Sequence, residues 1–394
     1  MEHIIQITIQ EFEKFTYFIH NEQPKISAKL GVLGKKDSYK LNKQLRYKKK
    51  CNAPNYNQDQ YHTIDLMFSL ALAGELYVKA SNEKGISSLK RTDAMHSFEK
   101  LTTREKYTYL LQTYWTKYDF KGKVDSFSSI KSFYNMLISI ANAEKGQRIT
   151  KDELGLNWDM FSSSAAFLHH IRFFGFGELE EIEGAKGKYE DSVKAFIPNE
   201  FGIQTCSFLL TVLHLWGHKD IRFLLTKDEV EFNTKEPFDI FKTIFDDDSV
   251  INTVISINDY DRSGVYTFKV SLTKGCWRKI NVSHEHTLSQ FHRAIQKAFD
   301  FDDDHLYAFY INGNRRTGQP IYCMDVQDER KTTEETHIDD LRLYKGQKLY
   351  YLFDFGDMWE FEILLTNISK DTIIPPIPEI IEIKGESPDQ YNSW

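Results

Sequence analysis

The sequence predicts an α+β fold: a mainly helical, winged-helix-like N-terminal region followed by a β-grasp, ubiquitin-like C-terminal domain. Three observations carry this. Apolar residues recur at helical spacing through residues 1–226, two of these helical stretches run into hairpin-like segments, and after Asp261 the period drops to the alternation of strands around one amphipathic helix. At 394 residues the chain exceeds one ordinary core. The pattern divides it into winged-helix-like units at 1–120 and 121–226, an acidic linker at 227–261, the β-grasp domain at 262–370 and a proline-containing tail at 371–394. Hydrophobic residues at 41% and aromatics at 14% supply enough apolar surface to offset chain entropy.

Residues 1–24 read as a short amphipathic lead, punctuated by Pro24. Between Lys25 and Leu45 the leucines Leu30, Leu33, Leu41 and Leu45 predict two short helices around a turn at Gly31 and Gly34. An apolar helix at Ile64–Leu72 stops at Gly74, and ELYVKASNEKGISSLK then reads as a hairpin with Asn82 and Gly85 at its tip. Helix, turn, helix, helix, hairpin is the order of a winged helix. It recurs after an aromatic helix at Leu101–Trp115. A helix at Ser129–Ala143 precedes a short one that Thr150 caps, with Glu153 in the capping-box position. Phe161, Ala165, Leu168, Ile171 and Phe174 then share a helical stripe ended by Gly175. The segment GELEEIEGAKGKYEDSVKAFIPNEFG makes two strands around a Gly-Ala-Lys-Gly turn, with a helix resuming near Glu200. From Lys227 to Asp261, ten Asp or Glu against three Lys, with Pro237 and the run Asp246 to Asp248, predict a solvated joint.

In the last domain, the strand VYTFKVSL from Val265 turns at Lys274-Gly275 into WRKINVS. Thr287 starts a helix that places Leu288, Phe291, Ile295 and Phe299 on one face. HLYAFYI (His305–Ile311) is a third strand turning at Asn312-Gly313, and a polar excursion follows from Asn314 to Glu335. A short helical turn leads to KLYYLFDF and MWEFEILL, joined around Gly356-Asp357. Beyond Ser369, Pro375, Pro376, Pro378 and Pro388 predict an extended tail, because proline fixes φ and removes backbone donors.

Four segments in this domain carry a resemblance: WRKI at Trp277–Ile280, TLSQFHRAIQKAF at Thr287–Phe299, DDDHLYAF at Asp302–Phe309 and YLFDFGDMWEFEI at Tyr351–Ile363. Together they look like the plasmid pRiA open-reading-frame-three-like family, also called the insertion-element passenger TnpR family. The resemblance implies an association with mobile elements. No serine-recombinase motif accompanies it, so recombination is not implied. Family members often carry His where this chain has Tyr307 and Phe361.

Between Lys25 and Lys50 there are ten Lys or Arg against the single acid Asp37, a density that attracts phosphate. Lys35, Lys36, Lys40, Lys43, Arg46, Lys48, Lys49 and Lys50 are the candidate nucleic-acid contacts, and a solvated basic face is the competing reading. The second predicted wing carries Glu178, Glu180, Glu181 and Glu183 and does not suit phosphate.

His305, Asp354, Asp357 and Trp359 form a candidate pocket in the C-terminal domain, with His292 and Asp304 near it in the pattern. Imidazoles and carboxylates can hold a divalent ion and activate water. Against that, Asp354 and Asp357 flank Gly356 in a hairpin turn, where Asp side chains bond nearby amides, and Trp277 and Trp359 suit packing. There is no GxGxxG after a strand, no phosphate loop, no HExxH and no GxSxG. His169 and His170 are adjacent on a helix and cannot converge on one ion. No catalytic residue, metal ligand or cofactor is therefore assigned. Four dispersed cysteines, Cys51, Cys206, Cys276 and Cys323, with no secretory leader or long apolar run, fit a cytoplasmic protein without a membrane anchor.

The reading is a non-enzymatic mobile-element accessory protein that binds nucleic acid through its N-terminal region and a protein partner through its C-terminal domain. One alternative is a protein-interaction or defence-associated adaptor without nucleic-acid binding; another is a metal-dependent hydrolase using His305, Asp354 and Asp357.

Overall fold

The residues expected to form a short lead make a 21-residue helix, α1 (Glu2–Glu22). Ile5, Ile9, Phe12, Phe15 and Ile19 recur every three or four positions and are all buried, which makes α1 a core element. The computed structural model describes residues 1–27, 30–81, 86–120, 127–154, 163–182, 193–216, 236–245, 247–254, 262–311, 320–326, 332–370 and 373–391. The predicted tips at Asn82–Gly85, Gly184–Gly187 and Asn312-Gly313 lie outside them, as do Phe161, Glu183, Asp246 and residues 217–235. The chain forms two units: Met1–Pro24, Leu33–Val78 and Lys90–Ser256 make the first, and Lys25–Val32, Lys79–Leu89 and Ile257–Trp394 the second.

After α1 come α2 (Lys35–Asn42), α3 (His62–Ala73), the hairpin β1 (Tyr77–Ser81) and β2 (Ser87–Arg91), α4 (Asp93–Glu99) and α5 (Thr103–Lys117). They are followed by α6 (Phe127–Ala141), β3 (Ile149–Thr150), α7 (Ser163–Phe173), β4 (Gly177–Glu181), β5 (Val193–Pro198), α8 (Glu200–Thr211) and α9 (Pro237–Phe241). The described residues of 25–45 give one helix, α2, where the pattern predicts two. Gly31 adopts φ 65° in a turn, and Lys25 instead bridges to Ser88 beside β2. The strands after α6 form an antiparallel sheet of order β3-β5-β4. Gly175 at φ 79° ends α7 as its position predicts. Thr150 and Glu153 exchange the bonds expected of a capping box, but around a turn at 151–154 that follows β3, and no helix follows among the described residues up to 154. The Glu153 carboxylate accepts from Thr150 N–H at 2.7 Å, and Thr150 Oγ1 accepts from Glu153 N–H at 3.4 Å.

Helices α3 and α7, which precede the two hairpin segments β1-β2 and β4-β5, pack on each other. The His62 and His169 rings lie 4.8 Å apart. Burial of Thr63, Ile64, Asp65, Leu66, Met67, Phe68 and Leu70 takes in nearly every face of α3. The expected acidic joint is also a packed segment where it is described. Phe241, Phe245, Val250 and Val254 are buried. Phe245 lies 6.2 Å from Tyr107, and Phe241 lies 5.4 Å from Phe208. The buried Glu105 carboxylate of α5 accepts the backbone N–H groups of Ile251 (3.2 Å) and Asn252 (2.7 Å), so charge here anchors the chain.

In the second unit β6 (Val265–Ser271), β7 (Trp277–Ser283), α10 (Leu288–Phe299), β8 (Tyr307–Tyr310), β9 (Pro320–Tyr322), β10 (Lys348–Phe353), β11 (Trp359–Ser369) and β12 (Glu379–Lys384) follow in order. One sheet of order β12-β7-β6-β11-β10-β8-β9 takes all seven strands. Leu288, Phe291, Ile295 and Phe299 of α10 are all 0% exposed and pack on Phe268, Ile280, Leu349, Tyr351 and Ile363 of the sheet. The expected single sheet on one helix is thus present. Two expectations change. A ubiquitin-like grasp pairs its first and last strands in parallel, whereas β6 and β11 run antiparallel, as does every other ladder of this sheet. The segment expected to be an extended tail contributes β12, which pairs with β7 from Glu379↔Asn281 to Lys384↔Trp277 across a bulge at Ile381. The unit also takes in the outer part of the first hairpin, where Ser87 bonds both Ser81 and Tyr344. No helix among the described residues is long and apolar enough to cross a membrane.

Candidate functional site

Thr287 caps α10 through a capping box with Gln290, fixing the helix so that His292 faces the sheet one turn later. Burial there leaves the His292 imidazole 1% exposed, stacked on Tyr307 with ring centres 3.6 Å apart. Both ring nitrogens are engaged: Nδ1 lies 2.6 Å from the Tyr351 hydroxyl, and Nε2 lies 2.5 Å from Asp303. Gln296, one turn on, donates Nε2–H to the same Tyr351 hydroxyl at 2.6 Å. Desolvation lowers the His292 pKa, against the pull of Asp303 and Glu334 towards the charged form, so the ring is held neutral. Burial pushes the Tyr351 hydroxyl well above its ordinary value.

The loop from α10 to β8 supplies the next layer. His305 Nε2 lies 3.4 Å from Asp354 and 3.6 Å from Asp304. Asp304 also accepts the Tyr391 hydroxyl at 2.6 Å. That bond holds the Asp304 carboxyl low, with His305 assisting, and raises Tyr391 to about 12. Gln390 closes the far side, its Oε1 accepting the Asp302 N–H at 2.5 Å. Asp354 adopts φ 54°, and its Oδ1 accepts the N–H groups of Gly356 (2.7 Å) and Asp357 (3.2 Å). This is the turn-forming role of Asp.

The structure therefore brings His305, Asp354 and Asp304 together and leaves out two predicted members. Asp357 enters only through its backbone, and its exposed carboxylate makes no hydrogen bond or ion pair among the described residues. Trp359 lies edge-on to Phe301, 4.9 Å between centres, as a packing residue. No group of three or more His, Cys, Asp or Glu among the described residues is placed to hold a metal ion. Sequence reasoning missed Tyr351, Gln296, Gln390 and Tyr391. Only Tyr351 had a visible signal, a hydroxyl at an inward-facing strand position.

In the first unit, α2 and the loop after it carry the predicted basic residues. Asn42 clasps the loop, its Oδ1 accepting from Lys49 N–H and its Nδ2 donating to Lys49 O, both at 2.8 Å. Arg46 N–H donates to the buried Glu11 carboxylate at 2.7 Å. Lys40 pairs with Glu22 at 2.6 Å and Lys50 with Glu181 at 3.5 Å. Lys43, Arg46 and Lys49 lie over the rings of Tyr39, Tyr47 and Tyr56 at 4.3, 5.8 and 4.8 Å. Lys35, Lys36 and Lys48 are exposed and make no ion pair among the described residues. Glu181 of the second hairpin thus partly neutralises a surface that the sequence suggested was purely basic.

Two features of the second unit, the DDDH loop and the β12 segment that Gln390 follows, lie within one homologous span. Residues 264–390 match the plasmid pRiA4b ORF-3-like protein family. The match takes in β12, in keeping with its place in the sheet. A protein of unknown function from Methanosarcina mazei Go1 is 26% identical over 32% of this chain and 73% of its own, with a TM-score of 0.27. No curated protein matches the chain.

Proposed function

We propose that the chain is a non-enzymatic, mobile-element-associated accessory protein of the cytoplasm that contacts the nucleic-acid backbone through the basic surface on and after α2. The pRiA4b ORF-3-like span supports the mobile-element association. Four free thiols favour a reducing compartment. The observation that carries the nucleic-acid reading is the exposure of Lys35 and Lys36 at the start of α2 and of Lys48 in the loop that Asn42 clasps, all three without an ion pair among the described residues, beside Lys43 and Lys49 seated on tyrosine rings. Cations gathered along a short stretch of chain whose backbone is fixed attract the phosphate backbone.

The repeats are proposed to be winged-helix units in a non-reading arrangement. A recognition helix reads bases by entering the major groove, and α3 and α7 instead cover one another. Contact is therefore assigned to phosphates, which position a protein without selecting sequence. The hydrolase alternative lacks support, since the Asp357 carboxylate bonds neither His305 nor Asp354 among the described residues and no group there is placed to hold a metal ion.

The test is a salt titration of binding to mixed-sequence DNA and RNA duplexes with the full chain. Binding should weaken linearly in log salt, and Lys35→Glu/Lys36→Glu/Lys48→Glu should reduce the slope by about 0.9 per lost phosphate contact on any sequence. Absence of binding at low salt, or a triple variant that binds as the native chain does, defeats the proposal.

A further inference from the structure

We infer that the outer edge of β12 joins β12 of a second copy of this chain, making one antiparallel sheet across a two-fold axis. This goes beyond the nucleic-acid reading and does not rest on it. Among the described residues β12 ends the sheet, with β7 on its inner side only. An edge strand offers a row of backbone donors and acceptors to another strand. Within the strand Ile381 is 50% exposed and Ile383 63%, and Ile377 just before it is 62% exposed. Exposed isoleucines in an edge strand suit a contact surface.

Charge selects the occupant. The register with β7 places Glu379 opposite Asn281, Glu382 opposite Lys279 and Lys384 opposite Trp277, so the bulge leaves all three charged residues on the face away from α10. Ile380 and Ile383, opposite Ile280 and Arg278, point to the α10 face. Antiparallel pairing of two copies with full overlap of the strand sets Glu379 against Lys384 of the second copy, and Ile380 against Ile383 of the second copy. Each of these contacts occurs twice, as an isologous interface requires. Opposite charges and β-branched pairs directly across from one another are the favourable cross-strand combinations. The short strand, the bulge and the prolines before it discourage unspecific stacking, while this self-complementary register stays open.

Sedimentation equilibrium of the full-length chain tests the inference, with circular dichroism confirming the fold of each variant. The native chain should dimerise in the micromolar range. Glu379→Lys and Lys384→Glu should each weaken the dimer about tenfold, because each places like charges opposite one another twice per dimer. The combined Glu379→Lys/Lys384→Glu variant should recover native affinity, and Ile383→Lys should leave a monomer. A native chain that stays monomeric, a dimer insensitive to the single substitutions, or a double variant weaker than either single one overturns the inference.

Discussion

The Tyr351 hydroxyl sits 2.6 Å from His292 Nδ1 and takes a second bond from Gln296 Nε2 at the same distance, tying β10 to α10 through a polar chain in an apolar core. The bonds assign a direction. Gln296 donates to Tyr351, Tyr351 donates to Nδ1, and Nε2–H donates to Asp303, whose side chain is 49% exposed. A buried chain of this kind stabilises only while every member has its partner.

Tyr351→Phe should therefore cost more than loss of one hydroxyl. It keeps the ring packing and strands both His292 Nδ1 and Gln296 Nε2 in the core. A destabilisation of about 2 kcal/mol is expected. Urea unfolding should show it as a lower midpoint with an unchanged slope.

The neutral state of His292 sets a pH dependence. Desolvation lowers its pKa, Asp303 and Glu334 raise it, and Arg293 lowers it, for a net folded value below 6.5. The unfolded chain then binds the extra proton first. The contribution to stability is full above pH ~6.5, declines as the pH falls from there towards the folded pKa, and is constant below that. His169 and His286, also lowered by burial, add to the same slope. Urea midpoints measured between about pH 7.5 and about pH 5 should fall in the native chain and fall less in His292→Gln.

Much of this region was legible because local and tertiary signals agree along α10. Thr287 and Gln290 mark its start, and Leu288, Phe291, Ile295 and Phe299 mark its buried face. β12 was hidden for a physical reason. The bulge at Ile381 breaks the alternation that identifies a strand, and the prolines before it suggest extended chain. The first helix was obscured by the β-branched run at Ile4 to Ile9. At the candidate site, His305 and Asp354 were found because turn residues announce themselves locally. The partnership of His292 with Tyr351 spans 59 positions and depends on strand register, which composition does not encode.

Arg278 should decide whether β12 stays on the sheet. Its guanidinium is buried, lies 4.4 Å over the Phe299 ring, and donates to the carbonyls of Ala298, Lys384 and Gly385 and to Ser387 Oγ. Lysine cannot span this fork of acceptors. Arg278→Lys should raise amide hydrogen exchange across residues 379–387 while α10 amides remain protected, with a stability loss of about 2 kcal/mol. Equal exchange gains in both segments would point to general loosening instead.

Gly202 tests the packing of α8 against the turn at Gly175 and Phe176. It lies in the first turn of α8, where its N–H donates to the capping Asn199 Oδ1 at 2.8 Å. Asn199 in turn donates its side-chain N–H to Gly175 O at 2.8 Å and its backbone N–H to Phe176 O at 3.0 Å. A Cβ on Gly202 would come within 1.9 Å of the Phe176 carbonyl oxygen and 2.5 Å of its carbonyl carbon. Helix propensity alone favours Ala over Gly by about 1 kcal/mol, so a position free of contacts would be stabilised by the change. Here the obstacle is backbone, which cannot swing aside as a flexible side chain can. Gly202→Ala should therefore destabilise the first unit by about 3 kcal/mol, at the upper end of ordinary overpacking. Thermal unfolding followed by tryptophan fluorescence should register it, because Trp115 and Trp216 stack 5.0 Å apart in the core of the same unit. A gain in stability would mean that α8 does not press on the Gly175–Phe176 turn as closely as these distances require.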